Sequence, residues 1–325
     1  MRNKMKKTQR SENPYSFTDS NKRYYTYDYY LRQTFGGKCA KIPIDAGFSC
    51  PNIDGRCGVG GCIYCSARGS GDFAESALLS VAEQYELTRK KLSSKWSVER
   101  CIPYFQAHTN TYAPTDILRE KFEEALALDG VVGLNIATRA DCLEDSTVEY
   151  LAEIAERTVL TVELGLQTSD DRVADIINRG HSFSDFCAGY EKLRHASDKI
   201  NICVHIIFGL PGENREGMMR TVRDVASLHP DQVKIHLLHV LRNTRLADIY
   251  LGGEYTPLGK EEYVGLVVDA IELLPPDTVI ARLTGDGMSD ELLAPEWSRR
   301  KVSVINDIDK LLYGRNTFQG KLYMS

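Results

Sequence analysis

Beyond about residue 23 the chain alternates short runs of β-branched and other apolar residues with longer segments whose apolar positions recur every three or four residues. The pattern predicts strands at 41–44, 101–106, 132–136, 159–164, 200–207 and 232–238. It predicts helices between them at 78–91, 115–128, 146–156, 184–196 and 215–228. Repeated strand-helix units imply parallel strands joined by right-handed crossovers. The fold class expected is α/β: a partial (β/α)6 TIM-like barrel over residues 24–241, with a C-terminal α/β extension over 242–325 packed on it. The extension is less regular, with helices at 261–274 and 302–312 and a strand at 279–283. Residues 1–23 are polar and poor in aliphatic side chains, and are expected to form a mobile basic arm. In such barrels the chemistry sits at the carboxyl ends of the strands.

Composition narrows the class. With 325 residues, 42% hydrophobic and 26% charged, the chain matches a globular protein and excludes a mainly disordered or collagen-like one. No apolar run approaches the roughly 18 to 20 residues of a membrane-spanning helix, and no secretory apolar segment follows the basic first residues, so a cytoplasmic address is expected. The net charge is −5, yet residues 1–41 carry ten Lys or Arg against Glu12, Asp19 and Asp28. Interleaved with Tyr24, Tyr25, Tyr27, Tyr29 and Tyr30, these cations either contact phosphates and unpaired bases or form a solvated tail and an amphipathic helix.

The nine cysteines add candidate chemistry. An odd number in such a chain speaks for metal or redox chemistry over a disulfide framework. Cys39, Cys101, Cys142, Cys187 and Cys203 are scattered and read as packing residues, whereas Cys50, Cys57, Cys62 and Cys65 fall in one glycine-rich loop directly after the first strand. Thiolates suit zinc and iron-sulfur clusters alike, and a C-x2-C pair turns two sulfurs toward one centre. Four cysteines could close a tetrahedral zinc site; three would leave one iron of a cluster open for a ligand. From spacing alone Cys57 competes with Cys50 as the first of three ligands.

The spacing Cys50-x11-Cys62-x2-Cys65, with Tyr64 before the last cysteine, resembles the cluster loop of radical S-adenosylmethionine (SAM) enzymes. The string Gly47-Phe48-x-Cys50-Pro51-Asn52-x-Asp54-Gly55, followed by Gly60-Gly61-Cys62, resembles the YtqA/YhcC (MnmL-type) group, whose barrel is similar to that of the elongator catalytic subunit. Thr138-Arg139-x-Asp141-Cys142-Leu143, Glu163 to Thr168, Asn178-Arg179-Gly180-His181, Phe208 to Glu213 and Arg282 to Asp286 continue the likeness. The resemblance implies a 4Fe-4S cluster on Cys50, Cys62 and Cys65, with SAM on its fourth iron. One electron, from a donor such as flavodoxin or ferredoxin, then yields a 5′-deoxyadenosyl radical that abstracts hydrogen. It also implies cofactor contacts by Thr109, Asn110 and Thr111 after the second strand, by Glu163 and Gln167 at the fourth, and by Gly209 after the fifth. His181, His205, His236 and His239 are candidates for the mouth of the barrel, without a catalytic role.

The same resemblance implies a substrate: the side chain at carbon 5 of a tRNA wobble uridine, matured from carboxymethylaminomethyl-uridine to aminomethyl-uridine. The anticodon arm would be held by the basic N-terminus and Arg299-Arg300-Lys301. An acetyltransferase step is not expected, because no segment of suitable length follows the barrel. The alternatives are a radical SAM enzyme acting on a small metabolite or a peptide, and a non-catalytic zinc or iron-sulfur module.

Overall fold

The computed structural model describes residues 14–69, 71, 73–285 and 290–324. Seven parallel strands curl into a half-barrel: β1 (Ala40–Ile44), β2 (Cys101–Phe105), β3 (Gly133–Thr138), β4 (Val159–Gln167), β5 (Ile200–Phe208), β6 (Gln232–Leu237) and β8 (Val279–Arg282), in that spatial order. A short β7 (Val240–Leu241) pairs antiparallel with β9 (Leu292–Ala294). The six expected strands are all present, and the sheet gains a seventh from β8, within the segment assigned to the extension. The sheet therefore does not stop at residue 241.

Helices α2 (Val81–Ser93), α3 (Thr115–Leu126), α4 (Asp145–Ala155), α6 (Phe183–Ala196) and α7 (Arg215–Ser227) form the outer layer. Their buried faces meet the sheet in one core containing Phe105, Phe122, Tyr150 and Phe186. Capping fixes where two of them start. Ser80 with Glu83, and Ser182 with Asp185, each make a reciprocal capping box that satisfies otherwise orphaned amides. Pro103 shapes the sheet as well. It has no N–H to give to a ladder, and β2 pairs with β3 only at Tyr104 and Phe105.

The N-terminal segment closes the far edge. Thr26 caps α1 (Tyr27–Phe35) and bridges parallel to Ile280, whose amide donates to Tyr25 O at 2.8 Å. Of the arm expected to be mobile, residues 1–13 lie outside the described residues, whereas 14–23 are docked. Tyr15 stacks on Phe17 and meets Phe318 at a tilt, Lys22 pairs with Asp309 of α10 (Lys301–Gly314), and Gln319 N donates to Arg23 O. Tyr24 is buried, and Tyr27 packs with Leu31, Cys39 and Ile102, so these two rings belong to the fold and are not free to stack on bases. Among the described residues no helix is long and apolar enough to cross a membrane.

Glu213, in the turn after β5, carries a pH signature. Burial pushes its carboxyl up to about 7, Asp170 adds to this, and one oxygen accepts from Thr168 Oγ1 at 2.8 Å while Oε2 has no partner. A raised pKa in the fold gives stability that is full below about 4.5 and is lost as pH rises through about 7. Glu213→Gln should therefore raise the melting temperature at pH 8 and leave it unchanged near pH 4. The expected gain is on the order of 2 kcal/mol, reduced by partial solvent access. Equal melting shifts at the two pH values would contradict this.

Candidate active site

The loop after β1 is built so that distant cysteines meet. Between Cys50 and Cys62 the chain makes a small hairpin: Asp54 bridges Val59, Gly55 N donates to Gly58 O, and Gly61 N donates to Asn52 O at 2.8 Å. The eleven intervening residues thus loop out, and Cys50 and Cys62 sit at the hairpin's base. Cys65 follows one turn later, its amide donating to Cys62 O. These three thiols line one cavity of about 280 Å³ at the carboxyl ends of the strands. Cys57 rides on the outer part of the hairpin, exposed, and does not line the cavity; burial and nearby Asp141, 3.8 Å away, push its thiol pKa up. Cys62 is shifted the opposite way. Hydrogen bonds from Cys65 and Tyr64, with the Arg139 charge and Asn52, hold its thiol at about 7 against burial. Three thiols on one wall, none of them in a disulfide and one biased to thiolate, fit a cluster held by three cysteines.

The hairpin is pinned from the far side by the loop between α5 (Asp171–Ile176) and α6. Asn52 Nδ2 reaches Cys62 Sγ at 3.6 Å and donates to Asn178 O, while Asn178 Nδ2 donates to Gly61 O at 2.7 Å. The clamp is tight: a Cβ at Gly58 would lie 2.2 Å from Asn52 Oδ1, and one at Gly180, where φ is +77°, would lie 2.7 Å from it. Outer contacts of this kind set how firmly ligands hold their metal. Asn52→Ala should weaken cluster retention about 10- to 100-fold, read as iron and acid-labile sulfide per chain after anaerobic reconstitution; wild-type retention would show the clamp to be dispensable.

Below the thiols the lumen carries a polar belt with one side chain from each strand: Lys41, Tyr104, Asn135, Glu163, His205, Lys234 and Arg282. Glu163 is fully buried at its centre. Lys41 Nζ donates to Oε1 at 2.8 Å and so does Asn135 Nδ2, while Oε2 takes Tyr104 Oη at 2.6 Å, His205 Nε2 at 2.8 Å and Lys234 Nζ. Burial opposes its charge, but Lys234 and Lys41 hold the carboxyl well below its usual value. Burial in turn pushes Lys234 down to about 7 and His205 down to about 4. Arg282 lines the same cavity and is the register partner of Lys234.

Family models for the radical SAM superfamily and for a radical SAM C-terminal domain match residues 53–225 and 230–313 respectively. The chain belongs to the radical SAM superfamily. It is 47% identical to YtqA of Bacillus subtilis (strain 168) over 96% of each chain. Residues covering 48% of this chain, and 33% of the relative, are 31% identical to a tRNA uridine(34) acetyltransferase of Dehalococcoides mccartyi. The fold resembles that of the archaeal Methanocaldococcus infernus Elp3, with a TM-score of 0.66 at 15% identity over 86% of this chain and 64% of that one. This radical SAM enzyme uses a 4Fe-4S cluster and SAM, as its family does. The alternative of a non-catalytic zinc or iron-sulfur module falls away.

Of the expected cofactor contacts, Thr109, Glu163 and Gln167 line the cavity with the three thiols, and Asn110, Thr111 and Gly209 do not. Asn110 Nδ2 is spent on Phe105 O, Ala107 O and Ala137 O, and Thr111 Oγ1 lies 2.6 Å from Thr138 Oγ1 and 2.5 Å from Cys142 O, so both hold the loop. Gly209 is covered by Leu258 and by Tyr255, whose hydroxyl donates to its carbonyl. Glu163 lines the cavity, and both of its oxygens accept hydrogen bonds from the belt. Gln167 sits at φ +66° on a β4 bulge, its amide folded over Gly165. Sequence reasoning assigned no role to Asn52, Lys234, Arg139 or Asp141, and took Lys41 only as one cation of the basic N-terminus. Arg139 reaches Asp141 at 2.7 and 2.9 Å and the carbonyl of Arg179. The available signal was a charged residue at an inward position of an otherwise apolar strand.

Proposed function

We propose that this radical SAM enzyme acts on the carbon-5 side chain of tRNA wobble uridine, converting carboxymethylaminomethyl-uridine to aminomethyl-uridine: the methylene would lose a hydrogen atom and one electron, which balances the electron that cleaves SAM, and water would split the resulting imine to release glyoxylate. The observation that carries the reading is the match to an enzyme named for uridine 34 of tRNA, which spans about half of this chain and sits beside near full-length identity to YtqA. Cys50, Cys62 and Cys65 are the cluster ligands, because they share one cavity wall and Cys57 does not. When bound, the cluster and SAM supply a carbon radical able to take hydrogen from a C–H bond such as the methylene between the side chain's nitrogen and its carboxylate. The protein's part is orientation and dryness. Thr109 and Gln167 border the space beside the thiols and orient SAM there. The neutral histidines of the lumen, held so by burial, do not compete for the substrate as charges. The tRNA anticodon arm is the partner, and a flavodoxin or ferredoxin is the one-electron donor.

The test is anaerobic reconstitution of the full chain with SAM, reductant and tRNA bearing carboxymethylaminomethyl-uridine, followed by nucleoside mass spectrometry. Aminomethyl-uridine should accumulate alongside 5′-deoxyadenosine. Steady cleavage of SAM with unchanged tRNA nucleosides would reject the tRNA reading and favour a small metabolite or a peptide.

A further inference from the structure

His181 lines the cavity of the three thiols, and its side chain is only 2% exposed. Among the described residues neither of its ring nitrogens has a hydrogen-bond partner. Asp141 Oδ1 lies 3.9 Å from Nδ1, beyond hydrogen-bond reach, and both Asp141 oxygens already accept from Arg139. The backbone that carries the ring is nevertheless firmly fixed. Arg179, itself buried, donates from Nε and Nη2 to the His181 carbonyl at 2.9 and 2.8 Å, and Arg139 donates to the carbonyls of Arg179 and Gly180. Ser182 follows at once as the cap of α6.

Leaving a buried polar group unpaired is costly, so a ring held this firmly and left without partners calls for a ligand that supplies them. His181 belongs to the loop whose Asn178 clasps the cluster hairpin through Gly61 O, which holds the ring beside the thiols, where this family keeps SAM. Burial, with the charges of Arg179 and Arg139, pushes its pKa down to about 3 and keeps the ring neutral. A neutral imidazole offers one N–H and one lone pair. It is a poor match for the charged methionine end of SAM and a good one for hydroxyls, which both donate and accept. The only hydroxyls of SAM are those of its ribose, which joins the sulfonium directly.

We infer that His181 is a cofactor-binding residue, which hydrogen-bonds the ribose hydroxyls of SAM beside the cluster thiols. The inference concerns the cofactor and holds whichever substrate the enzyme takes. The α5–α6 loop then has two tasks: Asn178 steadies the cluster hairpin from outside, and His181 steadies the cofactor from within the cavity.

The test uses the reconstituted full chain under anaerobic conditions, with SAM and its 2′,3′-dideoxy form as probes. Dissociation constants are read by equilibrium dialysis, and iron content and thermal unfolding are followed alongside. Wild type should bind SAM at least about 10-fold more tightly than the dideoxy form. His181→Ala should weaken SAM about 10-fold and leave the dideoxy form nearly unchanged, which erases most of the preference. His181→Asn, which keeps a donor and an acceptor, should retain part of it. Unlike that of Asn52→Ala, the iron content of both variants should match wild type. A wild type indifferent to the hydroxyls, or a His181→Ala that keeps the wild-type preference, overturns the inference. So does loss of iron in both variants, which would make the ring part of the cluster clamp.

Discussion

Cys50→Ala is expected to abolish cluster retention and SAM cleavage, whereas Cys57→Ala leaves both close to wild type. The two residues compete on spacing alone, and the fold separates them. The hairpin of residues 52–61 carries Cys57 outward beside Asp141 and returns the chain so that Cys62 lies with Cys50 on the cavity wall. Removing a thiolate ligand should cost more than the roughly 100-fold that outer contacts of a metal site cost. Iron and sulfide content, the cluster's visible absorbance and 5′-deoxyadenosine release provide three readouts. Loss of the cluster in Cys57→Ala with retention in Cys50→Ala would reverse the assignment.

Glu163→Gln is expected to destabilise the fold by about 3–5 kcal/mol, because it removes the carboxylate that Lys41 and Lys234 share and leaves the two facing each other. The glutamine keeps the shape but cannot balance two ammoniums. Pairing it with Lys234→Met should recover much of the loss, since neighbouring charges in one network do not act additively. Denaturant unfolding of the single and double variants checks this. A single variant as stable as wild type would mean that the belt charges are already relieved by solvent.

Much of the fold was legible, and for a physical reason. Strands buried on both faces, such as β4 and β5, must be nearly continuous apolar runs, and helices covering them must repeat every three or four residues. The same rule hid the belt. Glu163, His205 and Lys234 each interrupt a largely apolar strand, and only the curl of the sheet brings them within hydrogen-bond reach. The proposed cluster cysteines were legible as a set; choosing Cys50 over Cys57 rested on resemblance, and the hairpin adds that Cys50, not Cys57, lines the cavity with Cys62 and Cys65. Thr109, Asn110 and Thr111 are adjacent in sequence, yet a tight turn aims one at the cavity and spends the other two on backbone carbonyls and Thr138. The seventh strand was read as a strand but not as part of the sheet, because strand pairing across α8 (Arg245–Leu251) and α9 (Lys260–Leu273) leaves no local mark.

The central claim is that the hydrogen taken by this enzyme comes from the wobble-uridine side chain. It is tested most directly with tRNA deuterated at the methylene between the side chain's nitrogen and carboxylate, incubated anaerobically with the reconstituted protein, SAM and reductant. Mass spectrometry should find one deuterium in 5′-deoxyadenosine, in step with the appearance of aminomethyl-uridine. Unlabelled 5′-deoxyadenosine together with an intact side chain would contradict the claim.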